Sequence, residues 1–235
     1  MRQAKEKQFG SLKTLTVEGS VNGPCVVLFH GYGADASDLV PIYEVMGLSK
    51  DVTWVFPEAP MEVIIAPGFY GKAWFQIDNK RLETSLRTGE PVDMSQTTPN
   101  GLEAARKAAI SLFDDLSKKH SHIVLGGFSQ GAMLATEVTL YHQKKPAGLV
   151  IMSGTLICES RWRELAPSCR GLNFIQSHGK NDAILGFSYA ENLLHVLNDA
   201  GLNGEFVEFN GGHEIPSKVL ERISKYLSKL LANRH

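Results

Sequence analysis

Ile123-Val124-Leu125-Gly126-Gly127-Phe128-Ser129-Gln130-Gly131-Ala132-Met133 joins three local signals in one stretch of sequence. The apolar run from Ile123 to Leu125, rich in β-branched residues and followed by a glycine pair, predicts a short buried strand. Gly127-x-Ser129-x-Gly131 comes next, and Ala132 to Leu140 predicts a helix with most of its faces buried. A strand that turns directly into a helix at a central serine is a nucleophile elbow. The flanking glycines answer a steric need, because the serine backbone is strained and a Cβ two residues to either side would collide across the turn. Ser129 Oγ is thereby presented at the C-terminal end of the strand, above the helix N-terminus.

Outward from this stretch, strands and helices alternate. Leu12 to Val17 alternates polar and apolar residues, as a half-exposed edge strand does, whereas Cys25 to Phe29 is continuously apolar, as a strand covered on both faces would be. Further strands are predicted at Val52 to Phe56, Leu149 to Met152, Phe174-Ile175 and Phe206 to Phe209. Helices are predicted near Asp38 to Met46, at Gly101 to Lys118, near Arg161 to Leu165, and at Ser188 to Ala200 with a stop at Gly201. The last helix opens at Pro216, a residue favoured at the first helical position, and carries Val219, Leu220, Ile223, Leu227 and Leu230 on one side. Met61 to Pro99 shows no regular element, being apolar in its first half and polar in its second. This alternation predicts an α/β fold with a mainly parallel central sheet and helices on both faces. Residues 1–235 read as a single domain, with 1–10 as a loose N-terminal extension.

Bulk properties narrow the function classes. Hydrophobic content of 43% and charged content of 21% are ordinary for a globular protein, and 235 residues suffice for a large core. A formal net charge of -1 argues against nucleic-acid binding. No stretch approaches the roughly 18 apolar residues of a membrane span. The basic N-terminus, Met1 to Gln8, has no apolar region behind it and does not read as a signal peptide. Cys25, Cys158 and Cys169 are odd in number and lack Cys-x-x-Cys spacing, which fits a reducing, cytoplasmic setting and points to no metal site.

A serine nucleophile needs a base and a group to orient it. In an open α/β sheet such groups gather on loops at the C-terminal strand ends. Three histidines follow strands, His30, His178 and His213, and the chain order serine, acid, histidine selects His213. Asp182, after the Phe174-Ile175 strand, is the acid in that order. The oxyanion donors are the backbone N–H of Gln130, beside the nucleophile, and that of Tyr32, in the glycine-containing loop His30-Gly31-Tyr32-Gly33. No dinucleotide fingerprint accompanies this loop, since the third glycine is missing. Within Met61 to Phe75, apolar side chains including Ile64 and Trp74 are expected to wall an acyl-chain pocket beside Ser129.

Leu28-Phe29-His30-Gly31-Tyr32-Gly33-Ala34-Asp35, Phe56-Pro57-Glu58-Ala59-Pro60, Ala73-Trp74-Phe75, Gly126 to Ala132, His178 to Asp182 and Gly211 to Ile215 occur in that order. From about Val21 to the C-terminal helix the chain resembles the carboxylesterase, phospholipase and acyl-protein thioesterase family of α/β-hydrolases. The resemblance implies hydrolysis of carboxylic esters or thioesters, lipid-like ones included, without metal or cofactor, and often a homodimer. It leaves the acyl chain and the leaving group open. Position 76 is Gln where many members have Asp, Leu185-Gly186 replaces a Val-Pro-like continuation, and the Asn79 to Thr98 region is longer than the common form. Two other readings are a peptidase on the same fold and a non-catalytic binding protein that keeps a hydrolase pocket.

Overall fold

Cys25, Val27 and Phe29 face one hydrophobic core, while the intervening Val26 and Leu28 face a second. The same sorting repeats at Ile123 and Leu125 against Val124, and at Leu149 and Ile151 against Val150 and Met152. A pleated strand sends alternate side chains to opposite faces, so a continuously apolar strand must have a core on each side. The computed structural model describes residues 2–232, with every side chain in that range except those of Asn79, Leu82, Glu83 and Leu86.

The strands are β1 (Lys5–Phe9), β2 (Leu12–Val17), β3 (Cys25–Phe29), β4 (Thr53–Pro57), β5 (Met61–Ala66), β6 (Phe69–Ala73), β7 (Ile123–Phe128), β8 (Gly148–Met152), β9 (Asn173–Gly179) and β10 (Asn203–Phe209). The helices are α1 (Val40–Met46), α2 (Asn79–Thr88), α3 (Leu102–Ser117), α4 (Gln130–Tyr141), α5 (Glu159–Leu165), α6 (Phe187–Asp199) and α7 (Ser217–Ala232). Eight strands form one sheet in the order β1-β2-β4-β3-β7-β8-β9-β10. From β4 to β10 neighbouring strands are parallel, and β1 and β2 are antiparallel additions at one edge. Helices α3, α4 and α6 bury their apolar residues in the first core, and α1 and α7 bury theirs in the second. The result is an α/β-hydrolase fold, with β7 and its serine in the interior of the sheet.

Two regions depart from the sequence-based expectation. Leu12–Val17 is not the edge: Lys5–Phe9, expected as part of a loose extension, pairs with it from Lys5↔Thr16 to Phe9↔Leu12. An outer strand largely open to solvent carries no alternation to detect, and β1 is largely exposed. The stretch expected to lack regular structure contains a separate two-stranded hairpin, β5 with β6, followed by α2. Ile64, Phe69 and Tyr70 on the hairpin are 67%, 70% and 64% exposed, so no buried face imposes a period of two on its sequence. Helix α2 is polar, yet its ends carry standard stop and start signals. The Asp78 carboxylate accepts from the N–H groups of Lys80 and Arg81 at 3.0 and 3.2 Å, and Gly89 closes the other end with φ 73°.

Candidate active site

At the end of β7 the backbone of Ser129 adopts φ 54° and ψ -119°, a conformation rarely taken by a residue with a side chain. Close approach of the ends of β3 and β7 and the first turn of α4 demands the glycines around it. A Cβ on Gly127 would lie 2.5 Å from the Gly131 carbonyl carbon, and one on Gly131 would lie 2.0 Å from Phe29 O. The turn is held from the neighbouring strand by the Ser129 N–H, which donates to Met152 O at 2.8 Å. Ser129 O in turn accepts from the N–H groups of Ala132 and Met133, at 3.0 and 3.1 Å, in the first turn of α4.

The loops after β9 and β10 are joined to each other. Lys180 N–H donates to Phe209 O and Asn181 N–H to Gly211 O, both at 2.9 Å, which brings Asp182 and His213 together beside the serine. Ser129 Oγ lies 2.8 Å from His213 Nε2, and His213 Nδ1 lies 2.7 Å from Asp182 Oδ2. With Nδ1–H donating to the carboxylate, Nε2 is left as the acceptor for the serine hydroxyl. The Phe128 ring packs at 4.9 Å from the imidazole and restricts its movement. The structure therefore brings Ser129, Asp182 and His213 into one hydrogen-bonded chain.

Asp182 is buried, and its other oxygen, Oδ1, accepts from the N–H groups of Ile184 and Leu185, each at 2.9 Å. His178 Nε2 lies 3.2 Å from Asp182 Oδ2 and donates to Leu185 O at 2.5 Å. Burial pushes the Asp182 carboxyl upward, but hydrogen bonds from His178 and His213 outweigh it and hold the group well below the usual carboxylate range. His178, considered and set aside as a base on chain order, thus stands behind the acid, a role that required the fold of the 179–186 loop to become visible.

Gly31 brings the loop after β3, where Tyr32 is the expected oxyanion donor, against the elbow, since a Cβ there would lie 3.5 Å from Ser129 Cβ. His30, the third candidate base, is fully enclosed instead. Its Nδ1 lies 2.7 Å from Gly31 O, its Nε2 accepts from Ala59 N–H at 3.1 Å, and Trp74 Nε1–H donates to its carbonyl at 2.9 Å. Burial lowers the His30 pKa and keeps the ring in the neutral form these contacts require. The hairpin root is bonded to the same loop: Gly33 N–H donates to Lys72 O at 2.8 Å and Lys72 N–H to Ala34 O at 2.9 Å. The Gln130 side chain is also structural, with Oε1 accepting from Trp74 N–H and Nε2 donating to Phe75 O, both at 2.8 Å.

Ser129, His213, Tyr32 and Gln130 border one cavity of about 130 Å³, whose remaining walls are Ile77, Val92, Met94, Met133, Ile184 and Leu185. Neither Ile64 nor Trp74 is among its walls. Ile64 projects from the exposed hairpin, and Trp74 is buried beneath the oxyanion loop, where it supports His30. The residues that line it are single apolar positions in a polar stretch (Ile77, Val92 and Met94), Met133 in the first turn of α4, and Ile184 and Leu185 beyond the Asp182 turn. Larger clefts of about 620 and 490 Å³ lie elsewhere on the surface, but neither brings a histidine to a serine or cysteine. Among the described residues no group of three His, Cys, Asp or Glu side chains could hold a metal ion, and no helix is long and apolar enough to cross a membrane.

Comparison with known proteins agrees with this geometry. The model of the phospholipase/carboxylesterase family matches residues 17–231. Acyl-protein thioesterase 1 of Emericella nidulans is 25% identical over 224 residues, covering 88% of this chain and 90% of that protein. Carboxylesterase SOBER1 of Arabidopsis thaliana is 24% identical over 213 residues, again covering 88% and 90%. Among solved structures, esterase PE8 has a TM-score of 0.74 at 23% identity, covering 97% of this chain and 99% of its own. Acyl-protein thioesterase 2 of Zea mays has a TM-score of 0.73 at 23% identity, with coverage of 93% and 98%. The chain belongs to the phospholipase/carboxylesterase family of α/β-hydrolases and is an ester- or thioester-cleaving hydrolase.

Proposed function

We propose that this hydrolase works through Ser129, His213 and Asp182 and a covalent acyl-enzyme. His213 Nε2 takes the hydroxyl proton as Ser129 Oγ attacks the acyl carbon, and the carbonyl oxygen becomes an oxyanion. The Asp182 carboxylate orients the imidazole and stabilises its protonated form. Backbone N–H groups of Tyr32 and Gln130 serve as the oxyanion donors. Collapse of the tetrahedral intermediate expels the alcohol or thiol, which receives the proton from His213. Water then repeats the sequence on the acyl-enzyme and frees the acid. One copy of the chain contributes every group in this scheme.

The observation that carries the reading is the unbroken chain from Ser129 Oγ through both imidazole nitrogens to Asp182, at 2.8 and 2.7 Å. Its test is Ser129→Ala, which keeps the turn and removes the nucleophile. Turnover of p-nitrophenyl butyrate should fall by about 10⁶, and covalent labelling by a fluorophosphonate should disappear. A folded variant that retains turnover within tenfold of the parent would refute the assignment.

A further inference from the structure

The cavity beside Ser129 is small, and beyond Ser129, His213, Tyr32 and Gln130 the described residues that line it are all apolar. Its volume of about 130 Å³ is close to that of a dry protein cavity of ~150 Å³ that holds benzene. Such a space accepts about six carbon atoms and is several-fold too small for a fatty acyl chain. Its six apolar walls are Ile77, Val92, Met94, Met133, Ile184 and Leu185, so a charged or hydroxylated acyl group would lose hydration there without a partner.

The wall formed by Val92 and Met94 is anchored. The long segment between β6 and α3 lies across the loop that follows Asp182 and is bonded to it. Val92 N–H donates to Ile184 O at 3.2 Å, and Ser85 Oγ–H donates to Ala183 O at 2.6 Å. Pro91 sits so close to Gly186 that a Cβ on the glycine would lie 2.5 Å from the proline Cγ. Further along, Glu159 N–H donates to Ser95 O at 2.8 Å and Cys158 N–H to Thr97 O at 3.1 Å, while Gln76 N–H donates to Asn100 O at 2.9 Å. The segment is therefore fixed on both sides of Met94, which is itself buried.

We propose that the acyl half of the substrate is a short, uncharged aliphatic group of about two to six carbons, and that Val92, Met94 and Leu185 set the limit. The segment from Ile77 to Met94 is the size filter. This inference rests on the serine hydrolase mechanism proposed above and specifies its substrate class.

The test is kcat/KM for p-nitrophenyl esters from acetate to dodecanoate, with fluorophosphonate titration of Ser129 in the same preparation. In the parent protein kcat/KM should peak at butyrate or hexanoate and fall at least 100-fold by dodecanoate. Met94→Ala removes three heavy atoms from the cavity wall and should raise the decanoate-to-butyrate ratio at least tenfold, since each methylene in an apolar pocket alters discrimination by roughly that order. Val92→Ala should move the ratio the same way and serves if Met94→Ala fails to fold. A parent profile that is flat or rises to dodecanoate, with the serine titrating fully, overturns the size limit and leaves the mechanism standing. A ratio unchanged in the folded variants removes Met94 and Val92 as its determinants. Absence of both labelling and turnover on every ester would overturn the hydrolase mechanism and this inference with it.

Discussion

Gly71→Ala should impair catalysis from the base of the exposed hairpin without touching the triad. A Cβ at this position would stand 2.0 Å from Gly33 O, 2.5 Å from Gly33 C and 2.7 Å from Gly33 Cα. Ordinary contact begins near 3.4 Å, so the hairpin and the oxyanion loop must separate by about 1.4 Å. The bonds between Gly33 N–H and Lys72 O and between Lys72 N–H and Ala34 O, now 2.8 and 2.9 Å, would both open. Two lost backbone bonds at about 1 kcal/mol each lower stability by roughly 2 kcal/mol, or about 4–8 °C in Tm for a chain of this size. Catalysis should suffer more. Tyr32 adjoins Gly33, and displacing one oxyanion donor typically costs ~3 kcal/mol of transition-state stabilisation, about 10²–10³ in kcat. KM for p-nitrophenyl butyrate should stay within about threefold, because of the cavity's lining only Tyr32 belongs to this loop, and the apolar walls Ile77, Val92, Met94, Met133, Ile184 and Leu185 belong to other segments. The assay is steady-state kinetics at a temperature where circular dichroism shows the variant folded. A folded Gly71→Ala protein with kcat within threefold of the parent would refute the coupling between the hairpin and the oxyanion loop.

Asp182 makes acid stability diagnostic. Its carboxyl is held below the usual range, so its contribution is present above the unfolded-state value of about 3.9 and is lost as pH falls from there toward the folded-state value. Between pH 5 and pH 2 the parent should lose more Tm than Asp182→Asn does, and kcat of that variant should drop about 10⁴-fold; parallel Tm curves would contradict the assignment. Gln130→Ala strips partners from the buried Trp74 N–H and Phe75 C=O and should lower the unfolding free energy in urea by roughly 2–5 kcal/mol. A loss below about 0.5 kcal/mol would show that these groups find other partners.

The sheet centre was legible because its strands are enclosed on both faces, and burial leaves uninterrupted runs such as Cys25 to Phe29 and Leu149 to Met152. The meeting of Asp182 and His213 with Ser129 was legible from order along the chain, because the elbow fixes where its neighbours must hang. Where neighbours do not constrain both faces, the pattern fades. Lys5–Phe9 forms a strand by pairing alone, and the hairpin residues Ile64, Phe69 and Tyr70 pack on no core that would order them. The cavity walls were hidden for another reason. Ile77, Val92 and Met94 are isolated apolar residues in a polar stretch, and they acquire a common purpose only through the bond from Val92 to Ile184 and the packing of Pro91 on Gly186. Their apolar neighbours in sequence, Ile64 and Trp74, had the more conspicuous composition and a different use.

The three side chains proposed for catalysis hang from strands of unequal security. Ser129 follows β7, which has parallel partners on both sides, whereas His213 follows β10, the outermost strand with β9 as its single neighbour in the sheet. Outer strands fray at lower free energy than central ones. A transient peeling of β10 would carry the imidazole away from a hydroxyl that had not moved. On the proposed mechanism such an opening silences the site while the interior of the sheet stays folded.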